Sequence, residues 1–220
     1  MNNVDFLRTC MTTVILDVET DSSVDEIFEN ITLGRQFEDA EILAKYYKDK
    51  NGQIVHEGKS IKIKLFPRTL VLYCIRDEKI FKIRWFYSKK VNKIHIASGL
   101  KQETASSYLV QLVNHLRNKI QFINIGNVRK VLVNGLAQAK IGINLYKLSE
   151  NLEKENMNFV YTPDRHAALK IYTELGTVSV HSTGKILYMG SKTEDMLMQL
   201  HEKISNMGKY WNGVPILIGI

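Results

Sequence analysis

The chain has 220 residues, an apolar share of 45% and a charged share of 24%, so it can bury a sizeable core, while no apolar run approaches the ~20 residues needed to cross a bilayer. Its 30 Lys and Arg against 23 Asp and Glu leave a net charge of +7, which favours an acidic partner such as nucleic acid over an acidic small substrate. Cys10 and Cys74 form no C-x-x-C pair, which argues against a disulfide scaffold or zinc ribbon and fits a reducing compartment, and the opening MNNVDFLRTC lacks the basic and apolar regions of a signal peptide.

In chain order, CMTTVILDVE (10–19) predicts a strand, and DSSVDEIFENI (21–31) a helix with Asp or Ser as its N-cap. Residues 32–63 form an insertion whose Asn51-Gly52 pair signals a hairpin turn. Strands then fill 65–86, and IRWFYSKKVNKIHIASGLK (83–101) runs from a strand through a turn into a Gly-x-Lys before an amphipathic helix. The second half repeats this order. NVRKVLVNGL (127–136) predicts a strand, GINLYKLSENLEKE (142–155) a helix, and VSVHSTGKILYMGSK (178–192) a hairpin leading into the last helix. The closing GKYWNGVPILIGI (208–220), with Trp211, Ile216, Leu217 and Ile218, is expected to pack back on the fold; the alternative is a strand that adds to a partner.

Setting Gly99 against Gly190 aligns the two copies. Ala105, Leu109, Val113 and Leu116 then coincide with Met196, Leu200, Ile204 and Met207, one stripe on one helical face. Two such halves predict a ten-stranded antiparallel sheet with its helices on one face, and the insertion has no counterpart in the second half. Alternation turns Phe81, Ile83 and Trp85 towards the helices and Lys82, Arg84 and Phe86 away from them. In the second half it turns Val178 and Val180 inward and Thr177, Ser179 and His181 outward.

These residues resemble the TATA-binding protein family. The match rests on YTPDRHAALKI (161–171) and the hairpin after it, where Tyr161, Pro163, Asp164, Leu169, Thr183, Gly184, Lys185, Gly190 and Lys192 fit the family pattern. In the first half Phe66-Pro67 resembles its Phe-Pro pair. The resemblance covers about residues 7–207, the insertion excepted. It implies an α+β saddle in which two pseudo-symmetric repeats, 1–120 and 121–207, form one curved antiparallel sheet with helices on the convex face, followed by the tail 208–220. It also implies a transcription initiation factor that binds AT-rich double-stranded DNA in the minor groove and wedges apolar side chains into base steps. Such a factor bends the duplex and recruits a TFIIB-like general transcription factor and RNA polymerase machinery. The alternative is a protein-interaction module on this fold with weak or lost DNA binding.

Carried over residue by residue, Phe66 and Phe86 match the wedge pair of the first repeat, while His166 and His181 stand where the second pair would be. Asn127 matches a central minor-groove asparagine and Thr9 replaces the other. Ser98 and Met189 replace the threonines before glycine. Lys82, Arg84, Arg129, Lys170 and Lys185 are the candidate phosphate contacts, and the basic loop of the second repeat becomes YTELGT (172–177), without Arg. The blander readings are core packing for the phenylalanines, a metal pair or plain surface positions for the histidines, a strand start for Asn127 and a solvated face for Lys82 and Arg84. No enzyme activity, cofactor, metal or membrane association is expected. HSTGKIL lacks the P-loop's first glycine and hydroxyl, since Ser179 and Ile186 stand there. The counts of 22 Lys, 23 Ile and 16 Asn against 8 Arg point to an AT-rich genome, such as that of a protist or large DNA virus. The expected location is nuclear, or a cytoplasmic replication site or the virion if the source is viral.

Overall fold

The alternating stretches become strands and the three-and-four-spaced ones become helices in the computed structural model, which describes residues 7–60, 67–88, 91–140 and 142–207. Phe66 and the tail 208–220 lie outside the described residues. The described chain holds β1 (Arg8–Thr20), α1 (Val24–Asn30), β2 (Glu41–Lys48), β3 (Ile54–Gly58), β4 (Thr69–Arg76), β5 (Lys79–Phe86), β6 (Asn92–Ser98) and α2 (Gln102–Leu116). There follow β7 (Phe122–Ile125), β8 (Arg129–Gln138), α3 (Leu145–Lys154), β9 (Phe159–Val160), β10 (Ala168–Thr173), β11 (Gly176–His181), β12 (Lys185–Ser191) and α4 (Glu194–Met207). The chain divides into a first unit, 12–131, and a second, formed by 132–220 with 1–11.

In the first unit the strands run β3-β2-β4-β5-β6-β1, all neighbours antiparallel, with β7 on the end of β1. One side of this sheet packs Val14, Leu16, Ile83, Trp85, Ile94 and Ile96 against Ile27 and Phe28 of α1 and Leu109, Leu112 and Val113 of α2. α1 starts because Ser23 Oγ accepts from Glu26 N at 3.1 Å and Asp25 and Glu26 complement the helix dipole. Its last turn has no basic residue of its own. Lys45 of β2 supplies the charge, its Nζ donating to the carbonyls of Phe28 at 2.7 Å and Ile31 at 2.6 Å and pairing with Glu57 at 2.8 Å. That arrangement explains how a lysine only 2% exposed is tolerated in a core.

The second unit has the order β8-β12-β11-β10-β9. Leu169, Ile171, Val178, Val180, Ile186 and Tyr188 pack against Leu148 and Leu152 of α3 and Leu197, Leu200 and Ile204 of α4. α3 opens on Asn144, whose Oδ1 accepts from Lys147 N at 3.1 Å. Tyr188, fully buried, finds its polar partner in His201 Nδ1 of α4 at 2.9 Å.

Laid side by side, the two orders correct one expectation. β9 holds the place beside β10 that β2 holds beside β4, so part of the insertion does have a counterpart, shortened to two residues. What the first unit adds is β3, the far arm of the Asn51-Gly52 hairpin, and β7, which raises ten strands to twelve among the described residues. Gly52 takes the left-handed φ of +80° that the turn requires, and its N–H donates to Asp49 O at 3.0 Å.

Candidate nucleic-acid interface

The predicted parity of β5 places the basic residues. Phe81, Ile83 and Trp85 are 5% exposed or less and join the helix-side core, so Lys82, Arg84 and Phe86 take the opposite side, each half-buried. Across the ladder Phe86 stands between Thr69 and Lys93, and Arg84 between Val71 and His95. The Phe86 and His95 rings lie 4.7 Å apart, tilted by 52°. Lys82 is less free than its charge suggests, because its Nζ sits 4.4 Å over the Tyr73 ring. Burial works to raise the Tyr73 phenol pKa, but Lys82, with Tyr46 and Arg84, outweighs it and holds it below its ordinary range. Tyr46 and Tyr73 pack at 5.5 Å in a small buried cluster with Ala44 and Val71 on this same side. Arg129 is half-exposed and tied to Asp17 Oδ2 at 3.0 Å.

Asn127 is exposed just ahead of β8. Ser98 closes β6. As the last residue of β6 it has the parity of the core residues Ile94 and Ile96, and its hydroxyl accepts from Leu100 N at 3.3 Å. Lys93, His95 and Ala97 are the β6 residues with outward parity. In the second unit the corresponding position differs: Met189 pairs with Thr177 and faces away from the core. A register shift follows between Tyr188 and Ser191, where Gly190 takes φ +82° and its N–H donates to Asn134 Oδ1. The two glycines aligned in sequence thus end their strands differently.

His181, half-buried at the end of β11, stands opposite Ala168, and His166 is exposed in the turn before β10, its N–H on Thr162 O at 2.8 Å. Lys170 is half-buried opposite Ser179, while Lys185 and Thr9 are exposed. The arginine-free loop closes on Thr173 Oγ1, which donates to Gly176 O, and its Glu174 pairs with Lys203 of α4 at 3.3 Å. Sequence reasoning passed over His95, Asp17, Leu187 and Leu136. The last two stand opposite each other on the outward side of β12 and β8. The alternation in NKIHIAS was the available signal for His95. Among the described residues no group of three or more His, Cys, Asp or Glu is placed to hold a metal ion, and no helix is long and apolar enough to cross a membrane.

The class this defines is an α+β protein of two similar units, each an antiparallel sheet with its helices packed on one side. Residues 129–207 match the family model described as transcription factor TFIID (or TATA-binding protein, TBP). Among solved structures the chain is similar to Methanococcus jannaschii TBP, with a TM-score of 0.61 at 16% identity, covering 91% of this chain and 97% of that one. No curated protein matches the sequence. The chain thus matches the TATA-binding protein family in sequence over residues 129–207 and resembles a TATA-binding protein in fold over most of its length.

Proposed function

We propose that the protein is a DNA-binding transcription factor that inserts the helix-free side of its sheet into the minor groove of AT-rich promoter DNA, bends it, and recruits a TFIIB-like factor and polymerase. Family and fold support DNA binding and transcription in general. The observation that carries the finer reading is Phe86, half-buried on the side away from the helices and flanked by Arg84 and Lys93. A phenyl ring can unstack a base step while neighbouring cations neutralise phosphates. Each unit represents one repeat, and the first carries the better-equipped half of the interface. The test is a bending assay on AT-rich duplexes at two salt concentrations. Salt-steep binding with a kink is expected; binding indifferent to salt, or no bend at any protein concentration, overturns the reading.

A second reading, a protein-interaction module with weak DNA binding, draws support from the cations already engaged within the fold, Lys82 over Tyr73 and Arg129 on Asp17. Weak, salt-insensitive DNA binding in the same assay would favour it. A nuclear or viral-replication-site location follows only from the DNA reading.

A further inference from the structure

On the helix-free side of the first unit, two polar atoms are buried without a hydrogen-bond partner, His95 Nε2 and Asp17 Oδ1. Buried polar atoms in folded proteins are nearly always paired, so two on neighbouring strands point to a function. His95 of β6 stands opposite Ile15 of β1, and Asp17 lies two residues along β1, opposite Lys93. The second carboxylate oxygen, Asp17 Oδ2, accepts from Arg129 Nη2 at 3.0 Å and Nε at 3.3 Å.

The groups around His95 come from three strands and the start of a fourth: Lys93 beside it on β6, Asp17 on β1, Arg84 and Phe86 on β5, and Arg129 on β8. Burial first, then Lys93, Arg84 and Arg129, hold the imidazole below its ordinary pKa of 6.5, against the pull of Asp17. A DNA backbone alters this balance. Phosphate charge offsets the surrounding cations, and Arg129, 50% exposed, can exchange Asp17 for a phosphate oxygen. The carboxylate left behind then needs a donor. An imidazolium carries hydrogen on both nitrogens, so it supplies one whichever tautomer preceded it.

We propose that DNA binding by the first unit takes up a proton at His95, which replaces Arg129 on Asp17 and releases Arg129 to a phosphate. The inference rests on the DNA-binding reading above. The step balances: one solvent proton adds to the ring nitrogen that lacks one, Asp17 stays ionised, and the face gains one positive charge. By linkage, affinity rises as pH falls, by at most about tenfold per pH unit for one proton.

The test measures binding of the full chain to an AT-rich duplex at fixed ionic strength between about pH 6 and about pH 8. Calorimetry in two buffers of different ionisation enthalpy counts the protons taken up. Wild type is expected to bind more tightly at the acid end, with uptake approaching one proton. His95→Gln flattens the profile, and His115→Gln, on α2, keeps the wild-type slope. Asp17→Asn frees Arg129 and leaves the imidazolium no carboxylate to meet, so it binds more tightly than wild type at the alkaline end and also loses the slope. A wild-type slope in His95→Gln, or a flat wild-type profile with DNA still bound, overturns the coupling alone. No binding at any pH at low salt overturns the DNA reading and the coupling with it.

Discussion

Phe86 and His181 end corresponding strands, β5 and β11, and differ in what they can do to a base step. A phenyl ring buries more apolar surface than an imidazole and brings no polar nitrogens into the stack. Phe86→Ala is therefore expected to reduce DNA bending more than His181→Ala, measured by energy transfer across an end-labelled duplex. Equal losses would refute the asymmetry between units. Lys45 is a residue of another kind, buried and holding the carbonyl end of α1. Lys45→Met leaves the Phe28 and Ile31 carbonyls without their donor and should cost about 2–3 kcal/mol in urea denaturation. Most of that belongs to the carbonyl bonds, since Glu57 is 50% exposed and its ion pair is screened. A loss near zero would mean that water replaces the ammonium.

The turn between β4 and β5 carries a local conflict. Asp77 and Glu78 take left-handed φ of 45° and 62°, values that Asn-Gly adopts readily and these residues do not. Glu78→Gly is expected to stabilise the first unit by about 1 kcal/mol, read from the urea midpoint, and a destabilised variant would mean the acidic turn has contacts that offset its strain. β3 ends on the opposite case. Gly58 has φ +97°, and a Cβ there would meet Leu43 O at 2.3 Å and Leu33 Cδ1 at 2.9 Å. Gly52, at φ +80°, would meet nothing within 4 Å. Gly52→Ala should cost about 1 kcal/mol and Gly58→Ala clearly more, which the same denaturation series decides. The elements themselves were legible because their apolar periods are strong: α1 is capped by one of the expected Asp and Ser residues, Ser23, and β5 has the expected parity. The place of β2 was not, because no local period tells which strand a hairpin joins.

For the whole molecule, three histidines are held below their ordinary pKa of 6.5 chiefly by burial: His95, His115 and His201. An unfolded chain takes up these protons first as pH falls. The contribution to stability is thus complete above 6.5 and declines as pH drops from there through the lowered folded values. The urea midpoint should fall between about pH 7 and about pH 5, before carboxylates titrate. His201→Gln should shallow that fall, because Gln can still meet the Tyr188 hydroxyl without a charge to bury. A midpoint flat over this range would contradict the burial of all three.

Alternation and helical spacing by themselves determined the two repeated halves, the inward set of Phe81, Ile83, Trp85, Val178 and Val180, and the outward set ending in Phe86 and His181. Those are local consequences of side-chain geometry, with periods of two and of three to four residues. Only the tertiary structure decided which outward residues meet. It set Phe86 against His95 and Lys82 over Tyr73, and it tied Arg129 to Asp17 across 112 residues of chain. Strand order fixes such neighbours, and strand order is a property of the packed sheet rather than of any segment within it.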